Sequence, residues 1–244
     1  MKTVLSQDLL RSRRKEVTGY LRFLEKTLKT NAAIQSSGTA PLPLELELTH
    51  TLKANSYLLL YNTIEAVMSQ LLAEIHDEIK ASNAHLDDLN PGLYLEVIRK
   101  LKNGEEAIAD SFSHPSGRPV VDYWLRDYEK RVQANRNPLF SGNIDGMRIK
   151  TIGLKYGFAT GNDTDDAKLT HAALQKAKNH RNTLAHGEKS FTELGRELSY
   201  TQIRDDAVAT LRTLNTIRLV VESFLSSASY RRHSRAPMEV APVA

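Results

Sequence analysis

The chain has no cysteine. Disulfide scaffolds, thiolate metal sites and cysteine nucleophiles are therefore excluded, and the absence suits a reducing compartment. A long uninterrupted apolar run is also missing. The most apolar stretch, SYLLLYNTIEAVMSQLLAEI, is broken by Asn62 and Glu65 and falls short of what a membrane helix needs. The N-terminal MKTVLSQDLLRSRRKEV has no apolar stretch ahead of its charges, unlike a secretory leader. There is no HExxH and no repeat of fixed period. These gaps read as a soluble, cytoplasmic protein with no membrane partner, no cofactor and no local metal motif. Only a metal site assembled from distant carboxylates stays open.

At 244 residues the chain is long for one small domain, short for two large ones, and able to bury a core without crosslinks. The net charge of +4 and pI of about 9.2 permit an anionic partner such as RNA without requiring one.

What is present is overwhelmingly helical periodicity. Over 15–29, Val17, Tyr20, Leu21, Leu24 and Leu28 recur at helical spacing. NAAIQSSGTAPLP then reads as a flexible loop. A long helix is expected over about 42–82, with Pro43 in its first turn and a bend or break near its middle. Residues 83–162 form an irregular insert in which LYLEVIRKLKN, VVDYWLRDYEKRVQ and IDGMRIKTIGLKYG read as helices. The loop SFSHPSGRP separates the first two, and Gly157 closes the third. Two long helices follow, one from an N-cap at Thr164 to His186, the other over about 201–227. No strand ladder is expected. The reading is an all-α bundle in a single domain over 1–228, with residues 229–244 as a disordered basic tail that carries Arg231, Arg232 and Arg235.

The stretch NHRNTLAHGEKSFTELGR, 179–196, holds the candidate chemistry. Two readings of it stand. Gly187 is an ordinary C-cap, and a histidine in the last helical turn interacts favourably with the helix dipole. An arginine and a histidine this close also arise by chance in such a composition. Alternatively, Asn182 and His186, four apart, share a face, and the long Arg181 side chain reaches the same helix end. RNA carries its own nucleophile, the ribose 2′-hydroxyl. Cleaving it needs only proton transfer, which histidine provides near neutral pH, and charge stabilisation, which the guanidinium fork provides.

RNTLAH, with Asn182 after Arg181, resembles the motif of the HEPN superfamily (higher eukaryote and prokaryote nucleotide-binding domains). LAHGEKSFTELGR, FSGNIDGMRIKTIGLKYG and ANSYLLLYNTIEAVM are similar to one bacterial branch, associated with toxin–antitoxin, abortive-infection and restriction-linked loci. The resemblance implies a HEPN-type helical bundle that pairs as a homodimer, with two Arg–His motifs facing across a cleft. It implies proton transfer by His186, phosphate binding by Arg181 and orientation of neighbouring groups by Asn182. Cleavage would proceed without metal to a cyclic phosphate and a 5′-hydroxyl, in a toxin or antiphage effector restrained by a partner protein. Glu65 and Asn62 are candidate supporting groups by position; a polar residue facing a helix end is the alternative for each. His180 is a candidate phosphate contact or a solvated surface residue. Ser190, Glu193 and Arg196 are expected to fix the loop after the motif, and Trp124 and Tyr128 to pack. The other functional reading is a noncatalytic HEPN module that binds RNA, nucleotide or protein.

Overall fold

The computed structural model describes residues 2–29, 33–34, 38, 42–102, 117–134, 143–158 and 165–232. Eight α-helices lie among them: α1 (Val4–Lys29), α2 (Leu46–Ala81), α3 (Pro91–Lys102), α4 (Arg118–Gln133), α5 (Gly146–Tyr156), α6 (Asp165–Ala185), α7 (Phe191–Glu197) and α8 (Tyr200–Ser226). The all-α expectation holds, with one small addition. Ala33–Ile34 pairs antiparallel with Leu42–Pro43, so Pro43 sits in a minimal strand and α2 starts later than expected.

α2 is the axis of the molecule. It runs 36 residues without a break, about 54 Å at the α-helical rise. The expected break is absent, and α2 packs against α1, α6, α7 and α8 along its length. Tyr57, Leu60, Ile64, Val67, Leu71, Ile75 and Ile79 are buried along it, each such side chain contributing roughly 1.5–3 kcal/mol. Ser6 N–H donates to Glu74 (2.9 Å) and Tyr20 O–H to the Leu52 carbonyl (2.6 Å), which sets α1 antiparallel to α2. Tyr57 donates to Asp206 (2.6 Å) and Tyr230 to Glu78 (3.2 Å), which sets α8 parallel to it. α6 packs between α2 and α8. α1 begins at Val4 rather than near 15, held there by polar bonds to distant helices: Thr3 N–H donates to Glu222 (2.8 Å).

The insert forms a helical layer of α3, α4 and α5. His76 Nε2 lies 2.9 Å from the Tyr156 hydroxyl, and the rings of Trp124 and Tyr128 stand edge-on to the imidazole at 4.8 and 4.0 Å. Trp124 and Tyr128 are core residues, as expected. Asn90 ties the insert to the chain's later part. Its Nδ2 donates to the carbonyls of Tyr156 (3.0 Å) and Ser229 (2.9 Å), and its Oδ1 accepts from Leu93 N–H.

The tail expected from 229 does not start there. Tyr230 is buried, Arg231 bridges to Leu89 and donates to the Ser82 carbonyl (2.9 Å), and Arg232 N–H donates to the Asp88 carbonyl (2.6 Å). The buried Tyr230 ring and these backbone bonds hold the chain to 232. Arg235, the Thr164 cap and most of SFSHPSGRP lie outside the described residues.

Candidate active site

The motif occupies the C-terminal end of α6. Gly187 N–H donates to the Leu184 carbonyl (3.2 Å) and Glu188 N–H to the Thr183 carbonyl (3.0 Å), with Gly187 at φ +69°. This pair of bonds is the Schellman arrangement, and it makes His186 the C-cap residue. Its backbone N–H still donates to the Asn182 carbonyl (2.9 Å), so the backbone is fixed while the imidazole stands exposed. The following segment, expected as a polar loop, is instead α7. Ser190 and Glu193 form a reciprocal capping box, with Ser190 N–H donating to Glu193 (2.8 Å) and Glu193 N–H to Ser190 (3.2 Å).

α7 crosses α2 at Gly195. A Cβ there would meet the His50 carbonyl oxygen at 1.8 Å, so only glycine permits the approach. Arg196 lies near His50, whose imidazole is held below its ordinary value by burial and by the positive charges of Lys53 and Arg196. The buried Lys53 ammonium donates to the Leu198 carbonyl (2.6 Å). The motif's turn is thereby anchored on its far side.

Five residues before the cap, the half-buried Arg181 guanidinium lies over the Tyr61 ring, 4.9 Å from its centroid. A cation at that distance is attracted to the ring face. Arg181 Nη1 donates to Asn182 Oδ1 (3.0 Å), and Asn182 Nδ2 donates to Asn143 Oδ1 (3.1 Å). Tyr61 oxygen accepts from Ile144 N–H (2.9 Å), and the negative charge of Glu65, one turn along α2, pushes the same phenol upward. Burial, chiefly, pushes the Tyr61 hydroxyl up to about 12. Next to Ile144, Asp145 caps α5 by accepting from Arg148 N–H (2.7 Å) and pairs with Lys178 (2.6 Å).

A family model described as HEPN_MAE_28990-like HEPN matches residues 1–230. The chain belongs to the HEPN family. HEPN domains are commonly ribonucleases. No curated protein and no solved structure matches the chain.

Within this HEPN bundle, Arg181 and Asn182 touch each other, and His186 shares their helix end. Glu65 lies by Tyr61, whereas Asn62 is exposed on the same helix. His180 does not stand free in solvent. It is half-buried with its ring 4.3 Å from that of Tyr57, and burial lowers its pKa despite the opposing charge of Asp206. Tyr61 and Asn143 were not singled out in the sequence. The signal for Tyr61 was its four-residue spacing to Glu65. For Asn143 there was none beyond its place in FSGNIDG. Among the described residues, no three of His, Asp and Glu are grouped to hold a metal, and no helix is long and apolar enough to cross a membrane.

Proposed function

We propose that this HEPN protein is a metal-independent endoribonuclease, acting as a homodimer in which two motifs share one cleft. The observation that carries the reading is the pairing of an exposed imidazole on a fixed helix cap with a guanidinium clamped on the same helix five residues earlier. His186 takes the proton of a ribose 2′-hydroxyl as O2′ bonds to the adjacent phosphorus. The P–O5′ bond breaks, and the departing oxygen takes a proton from the partner subunit's His186. The products are a 2′,3′-cyclic phosphate and a 5′-hydroxyl. Arg181 binds the phosphate and stabilises the added negative charge, while Asn182 orients the guanidinium. DNA, without the 2′-hydroxyl, is left intact. The biological role consistent with this chemistry is that of a toxin or antiphage effector restrained by a partner protein.

The test is incubation of purified protein with tRNA and total RNA in EDTA. Expected are fragments with cyclic phosphate ends and 5′-hydroxyls that a kinase labels directly, and none with His186→Ala. Intact RNA after exposure to folded wild-type dimer sinks the reading. Growth arrest on expression that survives both His186→Ala and Arg181→Ala would place toxicity elsewhere.

A further inference from the structure

Ile144 is fully buried, and its backbone N–H finds its acceptor in a side chain, the phenolic oxygen of Tyr61. A buried N–H needs such a partner, so this bond fixes where the segment before α5 lies. The same Tyr61 ring carries Arg181 on its face. One side chain of α2 therefore holds two things at once: the cation of the motif and the entry of the insert into the site. The residue preceding Ile144 is Asn143, which is exposed and accepts from Asn182 through its Oδ1. An amide offers two donors on its nitrogen. With the oxygen engaged by Asn182, which itself accepts from Arg181, the nitrogen is the end of the Asn143 amide that can donate.

We propose that Tyr61 is a positioning residue for Arg181, and that through Ile144 it makes Asn143 a substrate-contacting residue of the same centre, donating to the nucleotide next to the scissile phosphate. The proposal rests on the ribonuclease reading for its substrate class. The insert is then part of the site as well as part of the core. Asn143 adds neutral donors where Arg181 adds charge, which suits a base edge or a phosphate oxygen.

A purely structural Asn143 differs from a substrate-contacting one in a measurable way. Asn143→Asp keeps an oxygen to accept from Asn182 and replaces both donors with negative charge. A structural role tolerates that change; a contact to RNA does not. Tyr61→Phe keeps the ring beneath Arg181 and removes the acceptor for Ile144, whereas Tyr61→Leu removes the ring as well.

The experiment measures cleavage of a fluorescent oligoribonucleotide by wild type and these variants. In parallel, the anisotropy of the same RNA is followed with each change in the His186→Ala background, and melting temperature reports folding. Expected for Asn143→Asp is a KM about tenfold higher with kcat within a factor of about three, at wild-type melting temperature, matched by about tenfold weaker binding. Tyr61→Phe should raise KM in the same direction with kcat largely retained. Tyr61→Leu should also lower kcat about tenfold or more, and the ring in Tyr61→Phe should restore it. Wild-type KM and binding in Asn143→Asp overturn the Asn143 role, and equal kcat in Tyr61→Phe and Tyr61→Leu overturns the positioning role. If no variant and no wild type cuts RNA, the nuclease reading fails by itself. Anisotropy then still decides for Asn143: weaker binding upholds the contact, and unchanged binding removes it.

Discussion

Arg181 and His186 are placed so that their removal costs chemistry more than stability. The imidazole is in solvent, and the cap is made by backbone bonds of Gly187 and Glu188, so His186→Ala is expected to change stability by less than about 0.5 kcal/mol. It should lower cleavage by roughly 10²-fold or more, the range for loss of a proton-transfer group. Arg181→Lys keeps the charge but replaces a planar fork with a point charge. We expect it to recover only a small part of the activity lost in Arg181→Ala, with both variants within about 1 kcal/mol of wild type in stability, since the ring contact is partly solvated. Denaturant midpoints and initial rates on one RNA check both statements. The trio Arg181, Asn182 and His186 was legible because helix geometry alone relates residues so close in sequence. Tyr61 and Asn143 were not, because nothing local says that α2 and the entry to α5 meet at the end of α6.

At the level of elements, the contrast lies between periodic and polar signals. α2 and α8 announced themselves by apolar spacing. α7 did not, because SFTELGR shows too little of a stripe; what forms it is the capping box of Ser190 and Glu193 and the crossing over α2. The first residues of α1 were likewise missed, since Thr3 and Ser6 are held by the carboxylates of Glu222 and Glu74 rather than by apolar burial. The loop placed before α2 contains a strand pair that no two-residue pattern can signal. These local causes differ in strength. Gly195→Ala puts a carbon against the His50 carbonyl, a backbone atom that cannot swing aside. We expect it to destabilise by about 2–4 kcal/mol and, by shifting α7 away from α2, to lower activity although it touches no substrate. Ser190→Ala removes one cap bond and should cost about 1 kcal/mol. Thermal melts of the two variants test the order. If Gly195→Ala melts like wild type, α7 is not seated on α2 as described.

For the molecule as a whole, acid is the condition that reaches helices far from the site. His76 is enclosed by Trp124, Tyr128 and Tyr156, and burial lowers its pKa to about 3. The unfolded chain takes up that proton near 6.5, so the folded state loses ground as pH falls from about 6.5 towards 3. Burial lowers His50 and His180 in the same direction. Glu222 acts lower on the scale. Burial pushes its carboxyl up, but hydrogen bonds from Thr3 Oγ1 and the N–H groups of Lys2 and Thr3 outweigh it and bring it to about 2. Its contribution is complete above the unfolded value of roughly 4.3 and disappears as pH falls through 2. Stability should therefore rise with pH from about 3 to 6.5, steepest where the histidine and carboxylate ranges meet. His76→Phe removes a titrating group and leaves the Tyr156 hydroxyl without its partner. It should lower the melting temperature at pH 7 while flattening the slope between pH 4.5 and 6.5, with the slope below pH 4 retained through Glu222. Melting curves at half-unit pH steps decide the matter: an unchanged slope between 4.5 and 6.5 in His76→Phe would show that the imidazole takes up its proton in the folded bundle.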